Sequence, residues 1–192
     1  MPISLKKGSK ISLAKAEPRL ERVHVGLGWD VRPGGGAAFD VDASVFLLGD
    51  GRKVRRDEDM VFYNNMRSSC GAVIHKGDNR TGAGGGDDEV LVVDLKRLPE
   101  PITALAICIS IHDADARRQS FGQIDNAFIR LVDVQTNIEV ARFELGRQAP
   151  SDTALLFGEL GRGADGWTFH AAGEGMGGDL ASLAELFGVE VA

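Results

Sequence analysis

No apolar run in this chain approaches the ~20 residues needed to cross a bilayer. The first residues, Met1 to Gly8, carry Lys6 and Lys7 with no apolar stretch behind them. The expectation is a protein with neither a membrane span nor a secretory signal. Cysteine is scarce, with only Cys70 and Cys108 present. Cys70 falls in a polar Ser-Ser-Cys-Gly turn, and Cys108 falls inside the apolar run Ala106-Ile107-Cys108-Ile109. That pattern predicts no disulfide framework and no zinc site, and it makes the cytoplasm the expected compartment. Positive charge is short as well: 22 Lys and Arg against 28 Asp and Glu leave a formal net charge of −6. Nucleic-acid binding needs a basic stripe or patch, so that class is excluded, whereas cation binding is not. Neither an internal linker nor a repeat divides the chain, and residues 1–192 are read as one domain large enough to bury a core.

One stretch is over-supplied. Gly77-Asp78-Asn79-Arg80-Thr81-Gly82-Ala83-Gly84-Gly85-Gly86-Asp87-Asp88-Glu89 holds five glycines and four carboxylates, with Arg80 its only cation. Packing does not call for such a segment, because it offers almost nothing apolar to bury. Its glycines allow φ > 0 and let the backbone curl its carbonyls inward. Carboxylates converging there would be neutralised by a hard cation, and calcium takes about 6–8 oxygens from carboxylates, amides, backbone carbonyls and water. Two readings stand side by side: a solvated turn, the commoner fate of such composition, and a calcium-binding loop. The known templates do not decide between them. An EF-hand needs Asp or Asn where Arg80 stands, the phosphate loop needs a Gly-Lys-Ser/Thr that is missing, and a calcium β-roll needs repeated nonapeptides. A metal here would draw further ligands from elsewhere in the chain.

The remainder reads as strand. Candidates are Lys10 to Leu13, Val23 to Trp29, Phe39 to Val45, Met60 to Tyr63, Val73 to His75, Glu89 to Leu95, Ile102 to Ile111, Ala127 to Val134, Ile138 to Leu145, Ala154 to Leu160 and Trp167 to Ala172. In Phe39 to Val45 the apolar residues alternate strictly, which sets Asp40 and Asp42 on the face away from Val41 and Ala43. Ile102 to Ile111 is almost wholly apolar and suits a central strand. Asp50-Gly51 and Asn137 mark turns. Asp179 is placed to cap a late helix whose Leu180, Leu183 and Phe187 share a face and which Gly188 ends. Many short strands with one late helix indicate an all-β protein, an antiparallel β-sandwich with a short C-terminal helix over part of it.

Other constellations are weaker. His112-Asp113 is half of an acid–base pair, but no Ser or Cys nucleophile sits near it in a recognisable elbow, and it reads as a strand-end histidine with a satisfied ring. Arg117-Arg118 is an anion grip or a solvated turn. Asp57-Glu58-Asp59 is expected as a surface turn, and Trp29 and Trp167 as core or rim aromatics.

Taken in order, Val25-Gly26-Leu27-Gly28-Trp29-Asp30, Phe39-Asp40-Val41-Asp42-Ala43-Ser44, Phe62-Tyr63-Asn64-Asn65, Gly77-Asp78-Asn79-Arg80-Thr81-Gly82, Gly86-Asp87-Asp88-Glu89, Ile111-His112-Asp113-Ala114, Ser120-Phe121-Gly122-Gln123, Asn126-Ala127-Phe128-Ile129-Arg130 and Phe157-Gly158-Glu159-Leu160 resemble the TerD family of bacterial tellurium-resistance and stress-associated proteins. The resemblance spans almost the whole chain. It implies a sandwich of two roughly five-stranded sheets, a cytoplasmic location and calcium binding. There are departures: Ala83 and Gly85 stand where the family usually has acids, and Ser69-Cys70-Gly71 replaces a Pro-Asp-Gly or Ala-Asp-Gly turn. Up to three oxygens near the site would be lost, which implies weaker affinity or one ion in place of two.

The expected ligands are Asp78, Asn79, Asp87, Asp88 and Glu89, assisted by Thr81 and loop carbonyls, with Asp30 and then Asp42 as a second wall. Each has a plainer role open to it: Asp87 or Asp88 as a cap for the next strand, Glu89 as a solvated first residue, Asp42 as the partner of an arginine such as Arg80. The expected function is a calcium-binding, non-enzymatic module of a bacterial stress response, Ca2+ ordering the loop and exposing a surface to protein partners such as paralogues. Membrane association would come only through those partners. The alternative is a metal-independent interaction scaffold. An oxyanion-processing enzyme ranks last, there being no redox cysteine pair.

Overall fold

The computed structural model describes residues 1–31, 39–77, 86–146 and 151–191. Its strands are β1 (Ile3–Leu5), β2 (Lys10–Ser12), β3 (Arg22–Val31), β4 (Val41–Leu48), β5 (Met60–Val61), β6 (Val73–His75), β7 (Glu89–Asp94), β8 (Ala104–Ile111), β9 (Ile124–Asp133), β10 (Glu139–Glu144), β11 (Ala154–Gly163), β12 (Gly166–His170) and β13 (Glu174–Met176). Its α-helices are α1 (Leu13–Ala16), α2 (Ala114–Arg117) and α3 (Leu180–Phe187). They form two sheets, ordered β1-β10-β9-β3-β7-β6 and β2-β12-β11-β8-β4-β5, with β13 paired onto β11. The expected sandwich is therefore present, with six and seven strands in place of about five each. The additions are short: β1 and β13 are three residues each, too few to show a period. All pairs are antiparallel except β1 with β10, which is parallel.

The main core lies between the sheets. Val23, Val25, Leu27 and Trp29 of β3 meet Val41, Ala43, Val45 and Leu47 of β4, with Leu91 and Val93 of β7 alongside. β7 alternates buried and half-buried residues, as expected of a strand with one wet face. β4 and β8 are buried at every position. The second face of their sheet carries Phe46, Leu48, Ala106, Cys108 and Leu156 and is covered by Leu183, Ala184 and Phe187 of α3. Phe46 and Phe187 meet with ring centroids 4.6 Å apart. α3 begins at Asp179, whose side chain accepts from the Ser182 N–H, and ends at Gly188 in the left-handed conformation, as the sequence predicts. Among the described residues no helix is long and apolar enough to cross a membrane.

Asp59 corrects the expectation of a surface turn. It is fully buried. Arg55 Nε donates to its Oδ2 at 2.7 Å and Ser69 Oγ donates to its Oδ1 at 3.1 Å. Local composition marks the segment as wet. The arginine four residues earlier and a hydroxyl from the 66–75 hairpin satisfy the carboxylate inside it.

Candidate functional site

The acidic stretch returns to the described structure at Gly86 and runs directly into β7. Its three consecutive carboxylates point in three directions, because only Glu89 belongs to β7; Asp87 and Asp88 precede it at a bend, outside the two-face alternation of the strand.

Asp87 turns out over the six-stranded sheet. Arg130 grips it twice, Nε donating to Oδ1 at 2.7 Å and Nη2 to Oδ2 at 2.9 Å. His24 Nε2 lies 2.9 Å from the same Oδ2. Burial alone would weaken this acid, but the His24 and Arg130 hydrogen bonds outweigh it and hold the carboxyl below its usual range. The space for it comes from Gly26 on β3. A Cβ there would stand 2.2–2.4 Å from the Asp87 carboxylate, and one on Gly28 would stand 2.4 Å from the Phe128 ring and 2.9 Å from the Gly86 carbonyl oxygen. The two glycines of Val-Gly-Leu-Gly-Trp thus leave β3 bare where the acidic segment and Phe128 cross it.

Asp88 sits at the end of the strand pairing. Its N–H donates to the Leu27 carbonyl at 2.7 Å, and its Oδ2 accepts from the Trp29 N–H at 2.8 Å. The β3–β9 register shifts between Gly28 and Asp30, so Trp29 drops out of the ladder and its N–H goes to Asp88 instead. Asp88 is buried. Burial pushes its pKa up, the Trp29 N–H pulls the other way, and the charges of Asp30 and Asp87 add to the rise. Asp30 is exposed and accepts from Asn126 Nδ2 at 2.8 Å. Asp30, Gly86, Asn126 and Trp29 line one cavity of about 380 Å3 with Phe128 and Arg142, and the Arg142 guanidinium lies 3.8 Å over the Phe128 ring.

Glu89 corrects the reading of a solvated first strand residue. It faces inward beside His75, and both side chains are 1% exposed, with Nε2 3.1 Å from Oε2. The Gly77 N–H donates to His75 Nδ1 at 3.2 Å.

Asp42 goes elsewhere. It is buried on β4 opposite Ser110. It lines a cleft of about 480 Å3 with Tyr63, His112 and Asp113 on the α3 side of the seven-stranded sheet. There His112, about half exposed, lies 3.4 Å from Asp113. Asp78, Asn79 and Thr81, with Arg80, Ala83 and Gly85, lie outside the described residues. The Ser69-Cys70-Gly71 turn, expected near the site, is at the far end of its hairpin. The His75 N–H reaches Met66 O and the Ser68 N–H reaches Val73 O, so the turn and the acidic segment flank opposite ends of β6 and β7.

A hard divalent cation wants oxygens, and Asp30 and Asp88 supply anionic ones within reach of each other's charge. Asp87 and Glu89 fit less well, because each already faces a protein base. Among the described residues no group of three or more His, Cys, Asp or Glu is disposed to hold a metal. A complete shell would need donors from residues 78–85.

A TerD-domain model matches residues 1–187. The chain belongs to the TerD family. It is 51% identical to the tellurium resistance protein TerD of Serratia marcescens over 98% of both chains. It is 46% identical to general stress protein 16U of Bacillus subtilis over the full length of each. A crystal structure of a protein of unknown function, SAV2460, superposes with a TM-score of 0.72 at 28% identity, covering 90% of this chain and 99% of that one. A homologue of telluride resistance protein (TerD) from Streptomyces coelicolor A3(2), 24% identical, shares the fold with a TM-score of 0.71. Around this candidate site the sequence nominated Asp30 and Asp88, which lie within reach of each other's charge. It did not find His24, His75, Asn126 or Arg130. Their partners lie far off in sequence, 63 residues for His24–Asp87 and 43 for Arg130–Asp87. The one local signal was the pair of glycines alternating with apolar residues on β3.

Proposed function

We propose that this chain is a calcium-binding, non-enzymatic module of a bacterial stress and tellurium-resistance response, in which Ca2+ orders loop 77–89. One observation carries the reading: Asp88 is buried beside the charge of Asp30 at the exit of a glycine-rich acidic loop, in an arrangement that weakens the acid. A divalent cation would relieve that repulsion. Asp30 and Asp88 would hold it, with Asp78, Asn79 and Thr81 the further donors that the sequence supplies. Arg130 and His24 keep Asp87 out over the sheet and so set the direction of the segment. The names of the Serratia and Bacillus relatives support the tellurium-resistance and stress setting. We place the module in the cytoplasm, where the ordered loop would present a surface to protein partners such as paralogues.

The test is a thermal melt with EGTA, calcium or magnesium, on wild type and Asp88→Ala. At a hundredfold excess over Kd a ligand adds about 2.7 kcal/mol. For a chain of this size that is a rise of roughly 5–10 °C, specific to calcium and lost in the variant. Identical melts in all three conditions would favour a second reading, a metal-independent interaction domain. That reading has its own support, since Asp87 and Glu89 already face Arg130, His24 and His75.

A further inference from the structure

The opposite end of β6 and β7 carries the reverse charge. Gly71 is buried there with φ +68°, beneath two arginines. A Cβ built on it would lie 2.9 Å from Arg67 Nη2, 3.2 Å from Arg67 Nε and 3.3 Å from Arg97 Nη2. Two guanidinium groups from different loops thus face one point above a bare backbone turn. Both arginines are exposed, so a ligand can reach them. Neither makes an ion pair with a carboxylate among the described residues, and the nearby acids are engaged otherwise. Asp59 is held by Arg55 and Ser69. Asp94 Oδ1 accepts the backbone N–H groups of Lys96 and Arg97. Glu21 takes Lys96 Nζ. In a protein of net charge −6, two like charges brought together beside acids that serve other groups are destabilising unless something anionic lies between them.

We propose that Arg67 and Arg97 form a binding site for a phosphate-class oxyanion over the Ser68–Gly71 turn. Each guanidinium offers a planar fork of N–H donors that matches two oxygens of such an ion. Two forks from different loops suit a tetrahedral dianion better than a halide or a lone carboxylate. The glycine lets both guanidinium groups lie against the turn, where a Cβ would crowd them. This site is separate from loop 77–89 and does not depend on calcium.

The probe is inorganic phosphate, titrated against chloride at matched ionic strength and followed by the backbone amide resonances of Ser69 to Ala72. A parallel arm measures co-sedimentation with phosphatidic acid vesicles against phosphatidylcholine vesicles. The expected result is a saturable, phosphate-specific shift centred on the turn. Arg97→Gln should weaken it about tenfold, the loss of one charge-assisted partner. Arg67→Gln should do the same, and Asp88→Asn should leave it unchanged. Both arginines are exposed, so either variant reports on a folded protein, which its melting temperature verifies. Binding in the vesicle arm alone, lost in the same variants, assigns the anion to a lipid headgroup; binding of phosphate in solution assigns it to the free ion. Shifts that chloride reproduces, or that survive both arginine substitutions in both arms, overturn the site.

Discussion

The two sheets close their outer faces by different means. On the seven-stranded sheet Phe46, Ala106, Cys108 and Leu156 lie under the apolar side of α3. On the six-stranded sheet Gly26 and Gly28 lie under Asp87 and Phe128, with Arg130 gripping Asp87 from β9. The first cover is held by apolar area, which is non-directional and tolerant of small shifts. The second is held by geometry, a bidentate guanidinium and an imidazole on one carboxylate, and has little apolar area behind it. The cover most exposed to chemistry is the one that borders the acidic loop. The helix side is chemically quiet. Cys108 is fully buried there, and burial pushes its thiol well above the usual range, so it does not act as a nucleophile.

Three substitutions sharpen this contrast. Phe46→Ala should have the largest effect, about 3–5 kcal/mol by urea denaturation, from lost transfer energy and the cavity left beneath Phe187. A loss under about 1 kcal/mol would mean that α3 contributes little to holding that sheet. Arg130→Ala should cost about 2–3 kcal/mol, less than the 3–5 of a wholly buried pair, because the arginine is partly solvated. The double variant Arg130→Ala, Asp87→Ala should recover most of that loss, since no carboxylate is then stranded. Additive losses would show that packing, not pairing, holds the segment down. Asp179→Ala should cost least, about 1 kcal/mol for one helix cap. Hydrogen bonds from Ser182 hold the Asp179 carboxyl below its usual range. Its contribution is therefore complete above the ordinary Asp pKa of about 3.9 and is lost as pH falls below that value. Acid unfolding of wild type and variant should converge at low pH, and a difference that persists there would refute the cap.

The sequence announced whatever depended on near neighbours. The unbroken apolar run of β8 marked a strand covered on both sides, and Asp179 with Gly188 bracketed α3. The three-residue strands β1 and β13 are too short to carry a period, and their pairing is a tertiary choice. Composition made Asp59 look wet because nothing local shows that Arg55 and Ser69 converge on it. Three adjacent acids at the loop exit looked like one ligand cluster. That two of them face protein bases depends on His24, His75 and Arg130, which reach them only through sheet pairing. Residues 78–85, where the sequence placed Asp78, Asn79 and Thr81, lie outside the described structure.

The bend before β7, which leaves Asp87 outward, Asp88 at the strand end and Glu89 inward, also fixes the reading frame of this segment. Deleting one residue between Gly86 and Val90 would leave two acids to serve three positions. A carboxylate would leave Arg130 and His24, or an apolar side chain would arrive beside His75. A point substitution here removes one role, whereas a one-residue slip reassigns all three, so this short triplet should tolerate changes of identity better than changes of length.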